Sequence, residues 1–158
     1  EITAWRRTDP TVTWQRLLTE PLCLAVPRDH RLAGQEDVDL AEVREEPFVA
    51  LRPTSLLRRQ TGELCERAGF EPKVAFVGTD LATVRGFVAA GLGVSIVPAP
   101  HPSDADAMES PLRYVTLSDP AAAREIGMAW STERRLLPAA ELFRQHVVRT
   151  AKARLLPS

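Results

Sequence analysis

The stretch Thr83-Val84-Arg85-Gly86-Phe87-Val88-Ala89-Ala90-Gly91-Leu92-Gly93-Val94-Ser95-Ile96-Val97-Pro98 changes its hydrophobic period halfway along. Leu81, Val84, Phe87 and Val88 fall on one face of a helix, and Gly91 ends it. After Gly93, Val94-Ser95-Ile96-Val97 reads as a short apolar strand, broken by Pro98 and Pro100. A helix passing through a glycine turn into a buried strand is one unit of an α/β fold. Working outward, the preceding segments have the same character. Val74-Ala75-Phe76-Val77 reads as a strand, with Gly78-Thr79-Asp80 as turn and helix cap. Before it, Phe48-Val49-Ala50-Leu51 reads as a strand stopped by Pro53. Thr54 and Ser55 stand where an N-cap belongs, ahead of Leu57, Thr61, Leu64, Cys65 and Ala68 at helical spacing, and Gly69 closes that helix. Strands alternating with helices predict an α/β architecture with a largely parallel sheet.

The flanks are less regular. Residues 1–5 look like a strand already in progress, residues 14–18 like a further segment, and Pro21-Leu22-Cys23-Leu24-Ala25-Val26-Pro27 like a buried strand ended by Arg28-Asp29-His30. Residues 37–43 suggest a short acidic helix capped by Asp37 or Asp39. Strands are expected at residues 112–117 and 126–130, and a long terminal helix near Pro138, with Ala140, Phe143, Val147 and Ala151 down one side. The segments before residue 34 and after residue 123 lack partners of their own, which suggests an incomplete lobe flanking a complete one.

Composition narrows the function. Apolar residues make up 44% of the 158, charged residues 26%, and the net charge is −1, as in an ordinary globular domain. That balance argues against this piece holding nucleic acid itself, since phosphate binding needs uncompensated Lys and Arg. The arginine pairs Arg6/Arg7, Arg58/Arg59 and Arg134/Arg135 read as solvated faces. No apolar run is long enough to span a membrane, and residues 1–7 do not resemble a signal peptide. Cys23 and Cys65 fit no metal spacing and sit at apolar-periodic positions, so buried thiols and a reducing cytoplasm are expected. For an enzyme, the chemistry would have to come from His30, His101, His146, the cysteines or the hydroxyls. No histidine pair has ligand spacing, and there is no Gly-x-Ser-x-Gly elbow, phosphate loop or His-Glu-x-x-His. Gly91-Leu92-Gly93 lacks the third glycine of a dinucleotide fingerprint and precedes a strand. The expectation is a protein that is not an enzyme, with no cofactor and no metal.

Several blocks together resemble the effector-binding domain of LysR-type transcriptional regulators. Residues 18–33 carry an apolar strand followed by Pro27-Arg28-Asp29-His30-Arg31-Leu32-Ala33, similar to the family's Pro-x-x-His-x-Leu-Ala turn, with Arg31 where proline is usual. Asp39-Leu40 through Glu46-Pro47-Phe48-Val49 resembles the next block, and the opening stretch, residues 83–98, is the most diagnostic. The resemblance runs over nearly all of the chain. It implies a fold like the type 2 periplasmic binding proteins, with two α/β subdomains joined by crossover strands around a ligand cleft. Subdomain II would be residues 34–123, and residues 1–33 with 124–158 would form part of subdomain I. The opening half of that subdomain and a winged helix-turn-helix are expected upstream of Glu1, so the chain reads as a fragment. A small organic effector, homodimers or tetramers packed through the helix near residues 56–68, DNA contact only through the missing domain, and a cytoplasmic location are implied with it. A secreted solute-binding protein of the same fold is the alternative.

Independent physics points to two strand-to-helix junctions, Pro53-Thr54-Ser55 and Gly78-Thr79-Asp80, and Asp80 at the second would repel an anion but could accept from an amine or hydroxyl. In open α/β sheets ligands bind beyond the carboxyl ends of strands, at helix N-termini with free N–H groups. The Pro53-Thr54-Ser55 junction offers amides and two hydroxyls suited to an anion. The resemblance implies effector contacts there, on the loop after the strand that Glu1-Ile2-Thr3 resembles, with Thr3 as the candidate, near the strand end at Pro98, and on the returning crossover near Ile126. A purely structural role for Thr54 or Ser55 as an N-cap is the competing reading.

Overall fold

The computed structural model describes residues 2–3, 9–100 and 110–155. It divides into two compact units, Glu1–Glu20 with Arg124–Ser158, and Pro21–Ala123. In chain order the strands are β1 (Ile2–Thr3), β2 (Val12–Pro27), β3 (Asp37–Val38), β4 (Pro47–Leu51), β5 (Lys73–Gly78), β6 (Ser95–Pro98), β7 (Leu112–Leu117) and β8 (Ala123–Ser131). The helices are α1 (Leu56–Arg67), α2 (Leu81–Ala89) and α3 (Pro138–Leu155), with a 3₁₀ turn at Leu40–Val43.

In the larger unit the chain is α/β, but parallel pairing is only part of its sheet. β4 and β5 run parallel, as do β3 and β7, and Phe48 bridges to Val94 in parallel at the head of β6. The second half of β2 runs antiparallel to both β6 and β7, with Leu24 opposite Ile96 on one side and Val115 on the other. Residues 14–18 and 21–27 therefore belong to one sixteen-residue strand and not to two. Sequence reading groups residues 21–33 with the flanking segments. In the structure Leu22, Leu24, Val26 and Leu32 pack with Phe48, Leu57 and Val115 in the core of the larger unit, because β2 is paired on both sides there. The acidic segment at residues 37–43 is a two-residue strand and then a 3₁₀ turn, whose cap is Asp39, accepting Ala41 N–H at 2.9 Å.

Two apolar clusters form on opposite faces of this sheet. Leu57, Leu64 and Cys65 of α1 join Leu24, Phe48, Val94 and Ile96, while Val84 and Val88 of α2 join Cys23, Ala25, Val49 and Val97. The alternation along β2 sends odd and even residues to different faces, which is how one strand feeds both cores. Thr61 is buried on the apolar face of α1 because its hydroxyl donates to the Leu57 carbonyl at 2.9 Å. Both helices end alike: Gly69 (φ 85°) and Gly91 (φ 79°) supply the left-handed residue. Phe70 N–H to Cys65 O and Leu92 N–H to Phe87 O then satisfy the last carbonyls.

The smaller unit pairs β1 with β8 in antiparallel, Thr3 opposite Gly127, and β8 with β2, and adds α3. Trp14 lies on the Gly127 backbone, so closely that a Cβ there would sit 2.2 Å from its ring. Arg16 reaches Glu125 at 3.1 Å, Arg124 pairs with Glu20, and the Arg144 guanidinium lies 5.2 Å from the centroid of Trp130. The expected apolar side of α3 is mostly uncovered: Ala140 is exposed, Phe143 is 58% exposed, and Val147 and Ala151 are half-buried.

Candidate functional site

Parallel pairing brings the carboxyl ends of β4, β5 and β6 to one edge of the larger unit. Continuing the Phe48–Val94 register sets Leu51 level with Val97, on strands that neighbour at about 5 Å. Pro53, Thr54 and Ser55 lie just beyond β4, Gly78-Thr79-Asp80 beyond β5, and Pro98 closes β6. Of the residues expected to touch an effector, Pro53 and Thr54 are exposed, Ser55 is half-buried and Pro98 is buried. Thr3 and Ile126 lie in the smaller unit, where Thr3 pairs with the residue after Ile126 and Ile126 is half-buried. The structure thus brings Pro53, Thr54, Ser55 and Pro98 to one edge of one unit, and Thr3 and Ile126 together in the other.

The two helix N-termini at that edge differ. On α2, Asp80 is a full cap: its carboxylate accepts Thr83 N–H at 2.8 Å and the Thr79 hydroxyl at 3.1 Å. The Thr83 amide, then the Thr79 hydroxyl, hold the Asp80 carboxyl below its usual range. On α1, Ser55 occupies the cap position with extended backbone (φ −74°, ψ 135°), yet its side chain makes no capping hydrogen bond. Its amide closes a turn onto Arg52 O at 2.9 Å and its carbonyl accepts Arg59 N–H at 3.2 Å. The amides of residues 56–58 have no partner inside the helix, as in any first turn. The N-cap reading of Ser55 holds for its position and not for its hydroxyl.

Two arginines at the same edge escape sequence reasoning. Arg58, one turn into α1, donates from Nη1 to Leu51 O at 3.4 Å. Arg85, one turn into α2, donates from Nη2 to Pro98 O at 3.4 Å, while its buried Nε has no partner among the described residues. Long helical side chains sweep back toward the helix N-terminus, and that is the signal that places both guanidinium groups at strand ends. Arg58 therefore does not belong to a merely solvated pair, whereas Arg59, Arg134 and Arg135 are exposed. Arg6 and Arg7 lie outside the described residues.

The enzyme candidates are accounted for structurally. His30 accepts Leu32 N–H on Nδ1 at 3.2 Å, which places the ring proton on Nε2, 2.6 Å from Glu46 Oε2. Arg31 completes the group at 2.9 Å from Glu46 Oε1, so the Pro-x-x-His turn is pinned to the segment entering β4. His146 is exposed on α3, with Thr150 Oγ1 at 3.5 Å, and His101 lies outside the described residues. Cys23 and Cys65 are buried, and desolvation pushes each thiol up to about 12. Among the described residues no group of His, Cys, Asp and Glu could hold a metal ion. No helix among them is long and apolar enough to cross a membrane.

Comparison with known proteins places the chain in a family and agrees with the fold. Residues 2–152 match the family model of the LysR substrate binding domain. The uncharacterized HTH-type transcriptional regulator YybE of Bacillus subtilis (strain 168) is 39% identical over 137 residues, covering 87% of this chain and 46% of that protein. The chain spans about half the length of the curated relatives it matches. The effector binding domain of QuiR in complex with shikimate has the same fold, with a TM-score of 0.86, at 21% identity over 98% of this chain and 72% of that one. The BenM effector binding domain with its effector benzoate superposes with a TM-score of 0.73, at 25% identity over 97% of this chain and 68% of that one.

Proposed function

Since the chain belongs to the LysR substrate-binding domain family, we propose that it is the sensing part of a LysR-type transcription factor and that its effector is a small organic anion. The open N-terminus of α1 carries this reading: its Ser55 hydroxyl is uncommitted and its first-turn amides have no partner within the helix, while the equivalent position on α2 is filled by the Asp80 carboxylate. A helix N-terminus carries a partial positive charge and aligned N–H donors, so an oxyanion is the ligand it suits. The contacts proposed for the effector are Pro53, Thr54, Ser55 and Pro98 in the larger unit and Thr3 and Ile126 in the smaller one. BenM takes benzoate and QuiR takes shikimate, and both ligands are carboxylates.

In this reading the larger unit, residues 21–123, acts as one lobe, and residues 1–20 with 124–158 as part of a second. The effector acts by population shift, and only to the extent that it binds two arrangements of the lobes with different affinity. A coupling of about 1–3 kcal/mol would change DNA affinity roughly 5–150-fold. DNA contact belongs to a domain outside this chain, and dimers or tetramers assemble in the cytoplasm through the face of α1. The chain binds and does no chemistry. The test is thermal denaturation of the full-length regulator with benzoate and shikimate. A saturable stabilisation is expected, and the combined Thr54→Ala and Ser55→Ala variant should lose it. An unchanged shift in that variant removes these residues from the site.

A further inference from the structure

The Arg85 guanidinium is at odds with a purely structural role. It has five N–H donors in a planar fork, yet among the described residues its partners amount to one carbonyl, Pro98 O, at the long distance of 3.4 Å. Its Nε is sealed from solvent without an acceptor. No carboxylate among the described residues pairs with it, and Asp80, at the cap of the same helix, is engaged by Thr83 and Thr79. The three strand-end junctions (residues 51–58, 78–85 and 98–100) carry Arg52, Arg58 and Arg85 against Asp80 alone. A partly buried cation without a counter-charge is costly to keep, unless something supplies that charge.

We infer that Arg85 is an oxyanion-binding residue, whose guanidinium fork receives the carboxylate or phosphate group of the effector at the carboxyl end of β6. The inference rests on the sensing role proposed above and assigns the charge recognition to a second helix. α1 and α2 pack on opposite faces of the sheet, and β4 and β6 are neighbours. Arg85 therefore comes over the sheet edge from the face opposite Ser55. Amide donors on one face and a guanidinium fork on the other would hold an oxyanion from two directions. The planar fork matches carboxylate and phosphate alike, which a lysine at the same position would not.

The experiment is thermal denaturation of the full-length regulator at constant ionic strength. Wild type, Arg85→Gln, Arg85→Lys and the Thr54→Ala/Ser55→Ala variant are each titrated with inorganic phosphate, benzoate and uncharged benzamide. Wild type should be stabilised saturably by phosphate or benzoate and not by benzamide, and which of the two works identifies the oxyanion class. Arg85→Gln should weaken that response at least about tenfold, with Arg85→Lys intermediate, and should leave the unliganded melting temperature unchanged or raised. The inference is overturned if Arg85→Gln keeps the wild-type response, if it lowers the unliganded melting temperature, or if neither oxyanion stabilises wild type. Loss of response in the Thr54→Ala/Ser55→Ala variant alone would overturn the role of Arg85 and leave the α1 site standing. Loss in Arg85→Gln alone would do the reverse.

Discussion

Replacing Gly93 with alanine tests whether the join between β4 and β6 is as tight as the backbone indicates. Gly93 has φ 154°, a conformation that side-chain-bearing residues rarely adopt, and an added Cβ would lie 2.3 Å from Pro47 O. That oxygen cannot yield cheaply, because it accepts Val94 N–H at 2.9 Å, and Val49 N–H in turn bonds Val94 O at 2.8 Å. Relieving the clash separates the strands and loses both bonds, about 1 kcal/mol net each. Backbone strain adds about 1–3 kcal/mol. The expected loss is about 3–5 kcal/mol, a large share of the roughly 5–15 kcal/mol that a domain possesses. Gly86 is the control: it lies inside α2 with nothing within 4 Å of an added Cβ. Gly86→Ala should therefore stabilise by about 0.5–1 kcal/mol. Urea unfolding of the two variants, seven positions apart in one segment, gives opposite signs if the geometry is right. A Gly93→Ala loss under about 1 kcal/mol, or a larger loss for Gly86→Ala, refutes the reasoning.

The cysteines give a second prediction. With both thiols raised to about 12, a thiol reagent at pH 8 should modify neither in the folded protein and both after unfolding, and rapid native labelling would contradict their burial. Glu141 gives a third. Hydrogen bonds from Arg144 and then Gln145 lower its carboxyl to about 2, so the folded form favours the ionised state. The stabilising contribution is present above the ordinary carboxyl range near 4.5 and fades as pH falls toward 2. An NMR titration should find the Glu141 midpoint near 2 and see it rise in Arg144→Gln.

The parts of the fold legible in the sequence are those set by local rules. Gly69 and Gly91 mark the helix ends because only a left-handed residue completes the paired terminal hydrogen bonds found there. Asp80 is a legible cap for the same kind of reason. Pairing is what stayed hidden. Pro21 reads as a break in β2, but it is exposed and contributes through its carbonyl, which accepts Ala99 N–H at 3.0 Å, so the strand passes through it. The antiparallel partners of β2 come from residues some seventy to ninety positions later, and no periodicity within one segment reveals which strand will lie beside it.

The candidate site divides the same way. Pro53, Thr54 and Ser55 stand out in the sequence because a strand end, a proline and hydroxyls before a helix are all local signals. Arg58 and Arg85 do not stand out, since an arginine on a helix reads as solvated surface until its depth and direction are known. Their meaning depends on two facts absent from any single segment: that β4 and β6 end at one edge, and that a guanidinium one turn into a helix reaches back to it. Residues that recognise charge are therefore the ones a periodicity argument misses. They lie on the flank of a helix between its apolar stripe and solvent, where burial is partial and hydrophobic pattern is silent. Among the described residues a backbone carbonyl 3.4 Å away is the one partner of the Arg85 guanidinium, and it cannot neutralise that charge, which is why the anion-binding role proposed for Arg85 is tested by removing the charge and not the contact.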